Sequence, residues 1–453
     1  MVPVVVGAAL LWGGTPASAQ QSAQQKQKPK AAETPQAEEA AAEEPVPPPV
    51  DIEPPDDAPP IVKLENELIT EEQDEETRKR LAADLRRAVR AGDLRRSRKI
   101  VEEGTRWRVY RMTLKKHRRA LDELRNDIVR EAASAGGLQT NPTSARQFRE
   151  FYLSEIAKYA AELLQGHNLY VRLNAAYLLA QLNLQEEDRI ENVPVIAYTP
   201  AAVPLAGLIE SQEQPEAVKI AAANGLHRIM LYGKADNALK LRIANALIAE
   251  LNRTDTHYWY QMRLAEALGG IDLELDLNNK PFIVDALARI VVDEKREPVV
   301  RAEAAQSLGR VPLDPQVNVR LLAFESANLA RQLAEWQMRV PDKYYWKHVF
   351  FNVYLAYKPR SEFGVKRGDG LLAKVDKAPH NQSKSYVEES YKQILPVVQT
   401  ALSQQNGVPL PQKVVAPLGD WVKNNQPESF SVHPGLQPIR TKQISKAADA
   451  PSR

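Results

Sequence analysis

The chain of 453 residues contains no cysteine. That absence excludes disulfides, thiolate zinc sites and cysteine nucleophiles, and it is compatible with an oxidising compartment. Other local chemistry is equally scarce. The seven histidines stand at 117, 167, 227, 257, 348, 380 and 433, and no two form a close pair with metal-ligand spacing. No Gly-x-Ser-x-Gly elbow, Walker-type phosphate loop or Gly-x-Gly-x-x-Gly turn occurs. Residues with side-chain oxygen ligands and leucines alternate from Asp272 to Asn278. The glycine that a calcium loop needs for its sharp turn is missing there, so the segment reads as a connection between helices. Arg367-Gly368-Asp369 is a tripeptide that chance supplies readily. No enzyme, cofactor or metal is expected from motifs, and any catalysis would have to use residues assembled only in three dimensions.

Long hydrophobic runs are missing too. The apolar stretch Met1 to Trp12 is too short for a lasting membrane anchor, and no Lys or Arg precedes it. It is followed by Ala17-Ser18-Ala19 before Gln20, the small-x-small form of a signal-peptidase site. Residues 1–19 are therefore expected to be a signal peptide that sends the chain to the periplasm, the cell envelope or the exterior. With no cysteine after the run, a lipid-modified lipoprotein is ruled out.

A hydrophobic content of 43% with 26% charged residues is ample for a core and places the chain among soluble proteins. The net charge is only +2, but the charges are segregated. Between Glu33 and Glu76 there are sixteen acidic residues against one lysine, whereas Arg78 to Arg119 holds seventeen basic residues against Asp84, Asp93, Glu102 and Glu103. Residues 20–76, rich in Gln, Ala, Glu and Pro, cannot bury enough apolar surface to offset the entropy of ordering and are expected to be a disordered tether. Residues 78–137 read as a basic helical cap. Leu81, Leu85, Ala88 and Val89, then Leu94, Ile100 and Val101, recur at helical spacing, Gly92 can break the helix, and a further helix runs from Thr105. Arg86, Arg87, Arg95, Arg96, Lys115 and Lys116 could contact an anionic polymer, an acidic membrane surface or nucleic acid, the last disfavoured by export. The plainer reading, which takes precedence, is a solvated face that offsets the acidic tether.

The most informative pattern lies in the middle. Ten-residue segments beginning at Val171, Val218, Tyr260 and Val300 share small residues at matching places, and their starts lie 47, 42 and 40 residues apart. Stacked helix pairs repeat at this period. Ala202-Val203-Pro204-Leu205-Ala206-Gly207-Leu208-Ile209, followed by Val218-Lys219-Ile220-Ala221-Ala222-Ala223, and the helix from Lys280 to Ile290 followed by Val300-Arg301-Ala302-Glu303-Ala304-Ala305, resemble HEAT repeats. The resemblance covers residues 145–311. It implies an all-α fold, an armadillo-like α-solenoid of helical hairpins, and a scaffold more readily than an enzyme, although a few HEAT-like lyases and glycosylases exist. It also implies that Arg172, Lys219 and Arg301 pair with an Asp or Glu of an adjacent repeat.

Small residues at Ala175, Ala176, Ala222, Ala223, Ala304 and Ala305 let neighbouring helices approach closely. The repeats are expected over residues 142–311 and a C-terminal helical cap over 316–405. That cap holds a long helix from Val317 to Arg339, an aromatic helix with Trp346, Phe350, Tyr354 and Tyr357 on one face, a loop from Ser361 to Gln382, and a last helix kinked at Pro396. The aromatic face could stack against sugar rings or peptide, but burial against the preceding helices takes precedence. Residues 406–453 form a Pro- and Gln-rich tail, mobile after Phe430. The expected function is non-catalytic binding of an unidentified protein partner on a concave face, with Asn174, Asn224, Glu266 and Glu303 placed there by helix phase.

Overall fold

The computed structural model describes residues 60–359 and 370–440. The expected signal peptide, residues 20–59 of the tether, part of the 361–382 loop and the end of the tail lie outside the described residues. Contacts divide the chain into Met1–Glu53 and Pro54–Arg453, and every described residue belongs to the second unit.

The fold is all-α, with 67% helix among the described residues. A single turn, α1 (Pro60–Lys63), precedes α2 (Glu71–Ala91), α3 (Leu94–Tyr110) and α4 (Leu121–Ala133). Four hairpins follow: α5 (Pro142–Glu162) with α6 (Leu169–Gln181), α7 (Ala202–Glu210) with α8 (Glu216–Tyr232), α9 (Asn237–Leu251) with α10 (Tyr258–Leu268), and α11 (Phe282–Val292) with α12 (Pro298–Arg310). The order ends with α13 (Val319–Arg339), α14 (Trp346–Tyr357), α15 (Gly370–Lys374), α16 (Lys384–Ser403) and α17 (Gln412–Asn424). Among the described residues, strand is confined to β1 (Asn183–Gln185) paired antiparallel with β2 (Ile196–Ala197).

Local chemistry explains where the helices begin. Helix α2 starts at Glu71 and not at Arg78, because Thr70 and Gln73 form a capping box: each side chain accepts from the other's backbone N–H, at 3.2 and 2.9 Å. Glu71, Glu72 and Asp74 then lie in the first turn, where negative charge is favourable. The last acidic residues of the expected tether are thus structural. Gly92, at φ 67°, closes α2. Helix α3 continues through Gly104, where a break was expected. A Cβ on Gly104 would lie 2.7 Å from Leu85 Cδ1, so the glycine serves close packing against α2. Asn141, Asn168 and Asp236 cap α5, α6 and α9 by accepting from backbone N–H groups, and Pro142 occupies the first turn of α5.

The helices pack in two rows. In one, α4 lies against α6, α6 against α8, α8 against α10, α10 against α12, and α12 against α14. In the other, α3 packs on α5, α7 on α9, and α11 on α13. The even row is held together at small residues. Ala175, Ala176, Ala222, Ala223, Ala304 and Ala305 are all fully buried. A Cβ on Gly225 would come within 2.8 Å of Ala180 Cβ, and one on Gly309 within 2.8 Å of the Ala356 carbonyl carbon in α14. Every residue of α12 is buried.

The C-terminal segment corrects an expectation. Residues 430–440 are docked rather than mobile: Val432 is fully buried, Asn318 N donates to Val432 O at 2.8 Å, and Arg289 reaches Gln437 O at 3.0 Å. Arg440 grips the buried Glu325 with both ends of its guanidinium, at 3.0 and 2.9 Å. Val432, aimed into the core, explains why a segment poor in apolar residues is held. The aromatic helix behaves as a cap, with Trp346, Phe350 and Tyr357 buried.

Two glycines make opposite tests of this packing. Gly309→Ala should cost about 1–3 kcal/mol or more, because the added methyl meets α14 backbone that cannot rotate away. Gly207→Ala, with nothing within 4 Å of its Cβ position in α7, should gain up to about 1 kcal/mol. Urea unfolding of the two variants checks the signs.

Candidate functional site

The basic cap is organised around one acid. Asp74, 2% exposed, accepts from Trp107 Nε1 at 2.9 Å and is surrounded by Arg111 Nε at 2.9 Å, Lys116 Nζ at 3.0 Å and His117 Nε2 at 3.4 Å. Burial pushes the Asp74 carboxyl up, but the bonds from Lys116 and Trp107 and the nearby charges outweigh it and hold the group below the usual carboxylate range. Further cations find acids as well. Lys115 and Arg118 each lie 3.3 Å from Glu65, and Arg87 lies 2.9 Å from Asp84. Arg96 lies 3.5 Å from Asp93. Lys115 and Lys116, candidate contacts for an anion, are therefore paired, whereas Arg86 and Arg95 have no ion pair among the described residues.

The four positions placed by helix phase all fall on the even row, but they differ in access. Asn174 is half-buried and accepts from Arg125 Nη1 of α4 at 2.8 Å, so the basic cap and the first hairpin share a surface. Asn224 is half-buried on α8. Glu266 takes Arg263 Nη1 at 2.5 Å and has His227 Nδ1 at 3.7 Å. Glu303 is not on an open face: α14 covers it, and Asn352 Nδ2 donates to its Oε2 at 2.8 Å. Burial, together with the charge of Glu266, pushes the Glu303 carboxyl up to about 7. Glu266 itself is held low: burial opposes ionisation, but His227, Arg263 and Arg310 overcome it.

The expected carboxylate partners hold for one repeat cation of three. Lys219 Nζ lies 2.8 Å from Glu250 Oε2, both groups buried, and Tyr260 OH donates to the same oxygen at 3.1 Å. Arg172 instead donates to His167 O at 2.7 Å and Gln214 Oε1 at 3.3 Å, and Arg301 to Val291 O at 3.0 Å and Gln332 Oε1 at 2.5 Å. Amide and carbonyl oxygens satisfy a buried guanidinium fork without a second charge. The Asp272–Asn278 segment is a turn, in which Asp276 Oδ1 accepts from the backbone of Asn278 and Lys280.

Two hollows adjoin at α4, the N-terminal end of the even row. One, of about 410 Å³, is lined by Asn126, Val129, Arg130, Gln181 and Arg228. The other, of about 300 Å³, is lined by Arg86, Arg90, Arg108, Asp127, Arg130, Glu131 and Ser134. Arg130 belongs to both. Of these residues, sequence reasoning singled out only Arg86. Gln181 and Arg228 stand immediately after the ten-residue segments that begin at Val171 and Val218, and Gly270 and Arg310 occupy the same place in the next two. Extending the repeat by one residue would have found them.

Among the described residues no group of three or more His, Asp or Glu side chains could hold a metal, and no helix is long and apolar enough to cross a membrane. No family model matches the chain, and no curated protein matches it. A solved structure described as that of an engineered protein aligns with 81% of this chain and 99% of its own, at 16% identity and a TM-score of 0.29, which is too low for any argument from it.

Two substitutions test the electrostatics. A carboxylate held low contributes stability above its ordinary range near pH 4, and that contribution is lost as pH falls through the folded value. Asp74→Asn should therefore cost about 3 kcal/mol at pH 7 in urea unfolding, with the deficit closing in acid. For Glu303 the sign is reversed: its raised value makes stability fall as pH rises from about 4 to about 7 and level off beyond. Glu303→Gln should match the parent protein at pH 5 and exceed it by about 1–3 kcal/mol at pH 8.

Proposed function

We propose that this chain is a HEAT-like α-solenoid that works as an exported, non-catalytic binding protein, with a partner protein seated on its even-numbered helices from α4 to α10. The observation that carries this reading is the polar, half-exposed row formed by Asn174, Gln181, Asn224, Arg228 and Glu266, with two adjoining hollows at its N-terminal end. Each helix of the row packs against the next, which is how stacked hairpins generate an extended surface without enclosing a cleft. At the other end the burial of α12 closes the row, so the proposed surface stops before Glu303. Export rests on the sequence of residues 1–19 alone.

The charge pattern of α2 and α3 supports the plainer reading of the basic cap. Arg78 and Arg87 sit within 4 Å of Glu75 and Asp84, Arg98 of Glu102, and Arg80 and Lys99 share Glu103, so part of the positive charge on these two helices is offset locally.

The test is affinity capture from envelope fractions with variants on the two rows. A partner enriched by the parent chain should be lost with Asn224→Arg, on the even row, and kept with Val203→Arg, at an exposed position of α7. Loss with Val203→Arg and retention with Asn224→Arg would contradict the proposal, provided circular dichroism shows both variants folded.

A further inference from the structure

We infer that the paired hollows where α2, α3 and α4 meet α6 and α8 form a binding site for a small phosphorylated sugar or polyol. This inference is independent of any protein partner on the same row. The charge count in the 300 Å³ hollow points to a dianion. Four arginines and two acids line it, and both acids are already engaged: Arg108 Nη2 lies 3.0 Å from Glu131 Oε2, and Arg130 Nη2 lies 2.5 Å from Asp127 Oδ1. Glu131 also accepts from Tyr152 OH at 2.9 Å. Arg86 and Arg90 are left without an acid among the described residues. Four residues apart on α2, they face the same way and repel each other, and an anion between them would relieve that repulsion. Two guanidinium forks match the oxygens of a phosphate monoester, whose charge at pH 7 approaches −2.

The adjoining hollow indicates what carries the phosphate. It shares Arg130, and Asn126, Val129 and Gln181 give it a mixed polar and apolar wall. The Oε1 atom of Gln181 is shielded from solvent and has no donor among the described residues. A buried acceptor left unmatched is costly, and a hydroxyl of the ligand would satisfy it. Arg228, held by Ala180 O at 3.0 Å and by Asn183, adds a further rigid donor at the wall. The two volumes, about 300 and 410 Å³, leave room for a phosphate and a ring-sized body.

Titration calorimetry of the full chain with glucose 6-phosphate, inorganic phosphate and glucose tests the assignment. The sugar phosphate should bind at least about tenfold more tightly than inorganic phosphate, and glucose should show no heat. Arg86→Gln with Arg90→Gln, at exposed positions where folding should be unaffected, should weaken the sugar phosphate at least about tenfold. Gln181→Leu should bring the sugar phosphate down toward the affinity of inorganic phosphate while leaving the latter unchanged. The assignment is overturned by no binding at about 10 mM, by binding that the double substitution leaves intact, or by retention on phosphatidic acid vesicles without binding of the free sugar phosphate.

Discussion

Everything in the described residues depends on how closely the backbones of the even-numbered helices approach. Buried side chains of α6, α8, α10 and α12 belong to one continuous core, so these helices complete one another's interiors. Alanine pairs and glycines make that approach possible, and long aliphatic side chains such as Leu179, Leu226, Leu264 and Leu308, all buried, fill the space between. The same closeness decides where polar groups can stand. Side chains on the row that point away from the seam stay half-exposed between α4 and α10, whereas α14 closes over α12 and buries Glu303.

Polar groups trapped by that packing are satisfied by a few strong contacts. Lys219 and Glu250 neutralise each other inside three helices, Asp74 collects Trp107, the His117 ring and the cations Arg111 and Lys116 at the N-terminal end, and Glu325 takes Arg440 at the C-terminal end. Breaking such a contact on one side leaves a buried charge alone, which is far worse than replacing both partners. Burial still leaves its mark: it drives Glu325 toward its neutral form despite Arg440, and with the charge of Glu266 it does the same to Glu303.

Much of the fold was legible in the sequence. The period of the ten-residue segments marked the second helix of each hairpin, since small residues recur wherever backbones must meet. The capping chemistry of Thr70 and Gln73 was equally visible, but the acidic composition around it suggested a tether; a capping box outweighs composition because it satisfies specific backbone donors. The docked tail was invisible for another reason. Val432 and Arg440 find partners more than a hundred residues away, and nothing local announces them. The hollows were half legible: helix phase pointed to the even row, but only three-dimensional packing brings Arg86 and Arg90 of the cap to a hollow that shares Arg130 with the one lined by Arg228.

The absence of native cysteine makes the successive stacking of helices directly measurable. Cysteines carrying spin labels can be placed at Tyr170, Ala217, Trp259 and Lys347, in the first turns of α6, α8, α10 and α14. With neighbouring axes 8–10 Å apart, roughly the reach of one side-chain layer, dipolar distances from position 170 should grow with each helix, from 217 to 259 to 347. A distance from 170 to 347 no longer than that from 170 to 259 would mean that the helices close into a bundle, and the stacked arrangement would be wrong.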